Sequence, residues 1–122
     1  MKLKLLEQAF SVCKLPDASG IRWESDVYFF SKTDQERSLV CESCDVPRNA
    51  LVREDGWRGL RVEGVLDFSL VGVLANIASL LAEQRISIFA VSTYNTDYIF
   101  TKADVFEDAV AVLQRAGYIV IT

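Results

Sequence analysis

The stretch that decides the fold is Ile86-Ser87-Ile88-Phe89-Ala90-Val91-Ser92-Thr93-Tyr94-Asn95-Thr96-Asp97-Tyr98-Ile99-Phe100-Thr101. Two apolar runs, Ile86 to Val91 and Tyr98 to Thr101, flank a polar connection, Ser92 to Asp97. β-branched and aromatic residues around a short polar link read as a hairpin. Upstream, Leu70, Val71, Val73, Leu74, Ile77, Ala78, Leu80 and Leu81 recur at helical spacing, which predicts an amphipathic helix with its stripe against a sheet. Ser69 is the expected N-cap, because its hydroxyl can accept from a first-turn N–H. Before it, Leu60 to Leu66 alternates as a strand, and Asp67-Phe68-Ser69 forms a polar break. Downstream, Asp104 and Glu107 form a candidate capping box. Val105, Phe106, Ala109, Val110, Val112 and Leu113 give a second apolar stripe. Gly117 suits the left-handed position that ends a helix, and Tyr118 to Ile121 is a closing strand.

The order is strand, helix, strand, strand, helix, strand. This is the ferredoxin-like βαββαβ arrangement, an α+β fold with both helices on one sheet face. The N-terminal half is less regular. Ala9 to Leu15 alternates as a strand, Pro16 to Gly20 is a turn, and Asp26–Ser31 with Ser38–Cys41 reads as a hairpin across residues 32–37. Val46-Pro47-Arg48-Asn49-Ala50 and Glu54-Asp55-Gly56-Trp57 are rich in turn residues. No long amphipathic helix is predicted before residue 60. Phe29-Phe30-Ser31-Lys32-Thr33 through Leu39-Val40-Cys41 resembles Phe89-Ala90-Val91-Ser92-Thr93 through Ile99-Phe100-Thr101, which raises an internal duplication against the plainer reading that any hairpin shows this pattern. The division expected is 1–58, strand-rich, and 59–122, ferredoxin-like, with no linker between them.

Composition narrows the functional classes. The 122 residues are 51% hydrophobic and 25% charged, which suits a globular chain with a filled core. A net charge of −4 with no basic stripe disfavours nucleic acid and anionic membrane surfaces as partners. No signal peptide or membrane span is read, and three cysteines fit a reducing compartment, so a cytoplasmic location is expected. The chain has no histidine, which removes the commonest general base and metal ligand. Phosphate-binding glycine motifs are absent, so neither a cofactor nor enzymatic activity is expected. Cys41-Glu42-Ser43-Cys44 has the spacing of half a zinc site or a redox dithiol. With only Cys13 besides, the plain reading is small residues at a strand end, and the alternative is a zinc site shared by two chains.

Two segments are candidate ligand contacts. Ser92-Thr93-Tyr94-Asn95-Thr96-Asp97 is dense in hydroxyls and ends in a carboxylate. It is either a hairpin turn or a site for a small zwitterion whose ammonium meets Asp97. At the strand-to-helix junction, unpaired N–H groups favour an anion, and Gly72 permits either close ligand approach or tight helix packing. Trp23 and Trp57 suit core or rim equally.

With these residues in view, the run from Ile86 to Phe100, followed by Ala103-Asp104, resembles the ACT-domain subclass of the CASTOR arginine sensors and small bacterial ACT-domain proteins. Gly64-Val65-Leu66-Asp67-Phe68-Ser69-Leu70-Val71-Gly72-Val73-Leu74-Ala75 is similar to that subclass's first strand and helix. The likeness covers roughly residues 60 to 122, and its most specific part is Ser92-Thr93-Tyr94 with Thr96-Asp97-Tyr98. It implies two tandem ACT-like units, the first degraded. It further implies an amino acid bound between units, its carboxylate on the backbone of Leu70, Val71 and Gly72. Ser92, Thr93, Thr96 and Asp97 would face the amino group or side chain. Val71 stands where ACT domains of metabolic enzymes often carry proline. The expectation is a non-catalytic amino-acid sensor without an attached catalytic domain, with a homodimer among its forms and a protein partner to regulate. The alternative is an assembly module that has lost its ligand.

Overall fold

The computed structural model describes residues 1–64 and 72–122. The strands are β1 (Lys2–Lys14), β2 (Tyr28–Lys32), β3 (Arg37–Glu42), β4 (Val52–Val62), β5 (Ile88–Ser92), β6 (Asp97–Lys102) and β7 (Ile119–Ile121). The helices are α1 (Val73–Glu83) and α2 (Phe106–Arg115), and short 3-10 turns occupy Ser43–Asp45 and Ala103–Val105. The fold is α+β and ferredoxin-like in its C-terminal part. Val65, Leu66, Asp67, Phe68, Ser69, Leu70 and Val71 lie outside the described residues, and with them the expected cap at Ser69.

Two compact units divide the chain: Met1–Glu7 with Arg58–Thr122, and Gln8–Trp57. The long strands β1 and β4 contribute residues to both.

In the helix-bearing unit the strand order is β7-β1-β4-β6-β5. β5 and β6 are antiparallel, Ile88 opposite Thr101 through Ser92 opposite Asp97. The closing strand pairs in parallel with the start of β1, Lys2 opposite Ile119 and Lys4 opposite Ile121. The N-terminal residues thus form a strand inserted in the ferredoxin-like sheet, which the sequence reading did not assign. The core follows the two helical stripes. Ile77 and Leu81 of α1 and Phe106, Ala109 and Leu113 of α2 are buried with Leu3, Leu60, Val62 and Ile99 of the sheet. Burying each of the Leu, Ile, Val and Phe side chains among these contributes about 1.5–3 kcal/mol before chain entropy is subtracted.

Several local expectations are corrected. The N-cap position of α1 is Gly72, in the left-handed conformation with φ +88°, so the helix starts at Val73. The capping box does not form. A 3-10 turn places Asp104 inside its own span, Val105 takes the N-cap position of α2, and no side chain caps it. Gly117 does take the positive φ expected of it, +100°.

The unit Gln8–Trp57 has strands β2-β3 followed by the second half of β1 and the first half of β4. β1 pairs antiparallel with β3, Phe10 opposite Glu42 through Lys14 opposite Ser38. Its buried cluster is small: Cys13, Leu15, Ile21, Leu39 and Cys41. The Glu54-Asp55-Gly56-Trp57 segment, read as punctuation, is strand. Ser11, fully buried, donates to Asp55 Oδ1 and hydrogen-bonds Ser43 Oγ at 2.7 Å. Arg53 pairs with Asp55 at 2.9 Å. The strand pairs with β1 through its backbone, and the Ser11–Asp55 bond links the two where apolar alternation is lacking. The hairpin β2–β3 repeats β5–β6 position for position: Phe29 faces Val40 as Phe89 faces Phe100, and Lys32 faces Arg37 as Ser92 faces Asp97. Each hairpin is followed by a 3-10 turn.

Candidate functional site

The hairpin candidates lie in the helix-bearing unit, on the ends of β5 and β6 and the turn between them. β5 and β6 are joined by a turn closed by Thr93 N–H donating to Thr96 O at 2.8 Å. Thr93 Oγ donates to the same carbonyl at 3.0 Å and accepts from Thr96 N–H at 3.3 Å. Thr96 is buried and its Oγ donates to Val62 O at 2.6 Å. That bond holds the turn against Val62, the last residue of β4. On the paired strand ends Ser92 Oγ donates to Asp97 Oδ1 at 2.6 Å. Asp97 is half-buried. The four hairpin candidates, Ser92, Thr93, Thr96 and Asp97, are therefore brought together, and their hydroxyls are engaged within the turn. One residue from Val62, the Arg61 guanidinium forms a forked bond to Glu63 Oε1, at 3.0 and 2.8 Å. That bond, opposed by partial desolvation, holds Arg61 above its ordinary pKa. Arg61 is neutralised locally and offers little attraction to a ligand anion.

Gly72 sits elsewhere in the same unit, on a cleft of about 380 Å³ lined by Met1, Gly72, Val73, Asn76, Ala116, Gly117 and Tyr118. Among the described residues no side chain caps α1 there, and its first-turn N–H groups carry the partial positive charge of a helix start. Gly72 requires its glycine because a side chain is strained at φ +88°. Across the cleft, Asn76 Nδ2 donates to Tyr118 Oη at 2.6 Å. Leu70 and Val71 lie outside the described residues. The hairpin candidates do not line this cleft. Sequence reasoning missed Asn76 and Tyr118; an amide on an otherwise apolar, charge-free helical stripe was the available signal.

The cysteines do not form a CxxC site. Cys41 is buried and Cys44 exposed. Among the described residues no group of His, Cys, Asp and Glu is placed to hold a metal ion. The nearby thiol for Cys41 is Cys13, and burial, then that neighbour, pushes the Cys41 thiol up to about 12. Because the folded state holds this proton more tightly, the resulting stability is full below the ordinary thiol value of 9.0 and is lost as pH rises towards 12. Thiolates, not thiols, react with alkylating agents. Iodoacetamide at neutral pH should therefore modify Cys44 alone in the folded protein and all three cysteines in denaturant, as read by intact mass. Rapid native labelling of Cys41 would contradict its burial.

An ACT-domain sequence profile matches residues 52–115, more than half of the chain. The chain belongs to the ACT-domain family. No curated protein sequence matches it. Among solved structures, protein Atu0741 from Agobacterium tumefaciens is similar over 98% of this chain and 91% of its own, with 26% identity and a TM-score of 0.84. VC0802 from Vibrio cholerae, described as a protein of unknown function and possible transport protein, shares 20% identity over 93% of this chain and 88% of its own, with a TM-score of 0.72. The ligand-free regulatory subunit of aspartate kinase from Thermus thermophilus shares the fold at 11% identity, covering 94% of this ACT protein and 96% of the subunit, with a TM-score of 0.67. Among the described residues no helix of the ACT protein is long and apolar enough to cross a membrane.

Proposed function

We propose that this chain is a non-catalytic regulatory module that senses a free amino acid, bound at an interface between ACT units. ACT-family membership and the fold shared with a kinase regulatory subunit support a regulatory role. The observation that carries the ligand reading is the start of α1, which no described side chain caps, with Gly72 at positive φ on an open cleft. It offers backbone N–H groups to a carboxylate. In this reading Leu70, Val71 and Gly72 hold the carboxylate, and Ser92, Thr93, Thr96 and Asp97 meet the ammonium or side chain. One oxygen of Asp97 is engaged by Ser92, which leaves the other for a ligand. Residues 8–57, whose hairpin repeats the register of β5–β6, act as an ACT-like unit without helices. The CASTOR-like subclass, a cytoplasmic setting and a homodimer that completes the site belong to the same proposal. Ligand binding would act on a protein partner by favouring one of two states.

The second reading, an assembly module without a ligand, draws on the closed hydrogen bonding of the hairpin, whose hydroxyls already have partners.

A thermal-shift screen against the twenty amino acids separates them. A ligand at a hundred times its Kd adds about 2.7 kcal/mol, roughly a 10 °C rise for a chain of this size. One amino acid with a saturable rise is the expected result. No rise with any amino acid at millimolar concentration favours the assembly module.

A further inference from the structure

Away from the α1 cleft, Arg58 is held in an unusual way. Its guanidinium lies over the Phe106 ring, with Cζ 4.6 Å from the centroid. Nη2 donates to Leu6 O at 3.2 Å, and Nε is buried without a hydrogen-bond partner. Among the described residues no carboxylate pairs with it. The guanidinium is held by a ring and a carbonyl. It borders a second cleft, about 200 Å³, whose lining also includes Leu5, Phe106, Glu107, Val110 and Gln114. Glu107 is exposed on the first turn of α2 and, among the described residues, forms no ion pair. A fixed cation, a free carboxylate and an amide thus share one small cleft with apolar walls, and the two charges do not neutralise each other.

We propose that this cleft is a second ligand site, distinct from the one at α1, for a small zwitterion: a carboxylate on Arg58 and an ammonium on Glu107, with an aliphatic body against Leu5 and Val110. Both charges line the same space without pairing with each other, which suits a molecule carrying both and not a simple anion. Arg58 is preorganised for this, because a guanidinium already locked by stacking loses little freedom on binding. Charge-assisted bonds orient the ligand and the apolar wall limits its size.

The probe is L-alanine, titrated into the 15N-labelled full chain and followed by amide chemical shifts. Saturable shifts of residues 106–114 are expected, with a Kd weakened about tenfold or more by Glu107→Gln and by Arg58→Gln. Glu107 is exposed, so its variant should fold even if the Arg58 variant does not. Acetate and methylamine, each half of the zwitterion, should bind at least tenfold more weakly than alanine. Shifts confined to residues 72–76 and 116–118 would overturn this site while supporting the one at α1. Equal binding of acetate and alanine, or an unchanged Kd in Glu107→Gln, would also overturn it. Saturable shifts at 106–114 with none at the α1 cleft would support this site and count against the α1 site for that ligand.

Discussion

Replacing Phe100 by alanine is expected to cost about 3–5 kcal/mol of stability. Phe100 is fully buried on β6, and its ring stacks on Phe89 with centroids 4.8 Å apart and planes 11° from parallel. Gly59 is shaped around it: a Cβ at that position would stand 2.8 Å from Phe100 Cε1 and 3.2 Å from Leu6 Cδ1. A site fitted on one side by a missing side chain and on the other by a stacked ring collapses poorly when the ring is removed, so the cavity adds to the lost transfer energy. Small domains have about 5–15 kcal/mol in all, so the variant should lose a large part of it. Urea unfolding should show a lower midpoint with an unchanged slope. A loss below about 1 kcal/mol would mean that the pocket closes on itself, contrary to the packing at Gly59.

The hairpin around Phe100 was legible because both of its strands are apolar and its turn is polar, and the two helices because their stripes are uninterrupted. The strand formed by Val52 to Trp57 was not. Its sequence has the charges and glycine of a turn, and what makes it a strand is backbone pairing with distant β1, accompanied by the polar contacts of Ser11 with Asp55 and of Arg53 with Ser43 O at 3.3 Å. The parallel pairing of β7 with the first residues of β1 was hidden for a related reason. A three-residue strand carries no local mark of its neighbour, and its partner lies at the opposite end of the chain. The capping box failed on spacing alone: Asp104 and Glu107 have the right separation, but the helix begins two residues after Asp104. At the candidate site, the hydroxyl cluster and Gly72 could be read from residue type. The cleft could not, because it arises from Asn76 meeting Tyr118 across 42 positions of sequence.

Asp97→Asn should weaken amino-acid binding by about tenfold to a hundredfold while costing little stability, because a hydrogen bond to a charged group contributes about 1.5–3 kcal/mol and the amide keeps only the neutral part. The substitution is chosen to separate the two roles open to this residue. Asparagine retains an oxygen that can accept from Ser92 Oγ, now at 2.6 Å from Asp97 Oδ1, so the strand-end bond survives. The turn itself is closed by Thr93 and Thr96 and tied to Val62 by the Thr96 hydroxyl, none of which needs the carboxylate. The loss should therefore fall on the ligand's ammonium alone. It would be measured by calorimetric titration with the amino acid that raises the melting temperature of the parent protein, with urea unfolding of the same sample as the stability control. Unchanged affinity would remove Asp97 from the site. Unchanged affinity with a stability loss of about 2 kcal/mol or more would instead make its charge a requirement of the hairpin. If affinity falls and stability holds, the charge serves the ligand, and the hydroxyls of Ser92 and Thr93 become the groups that orient it.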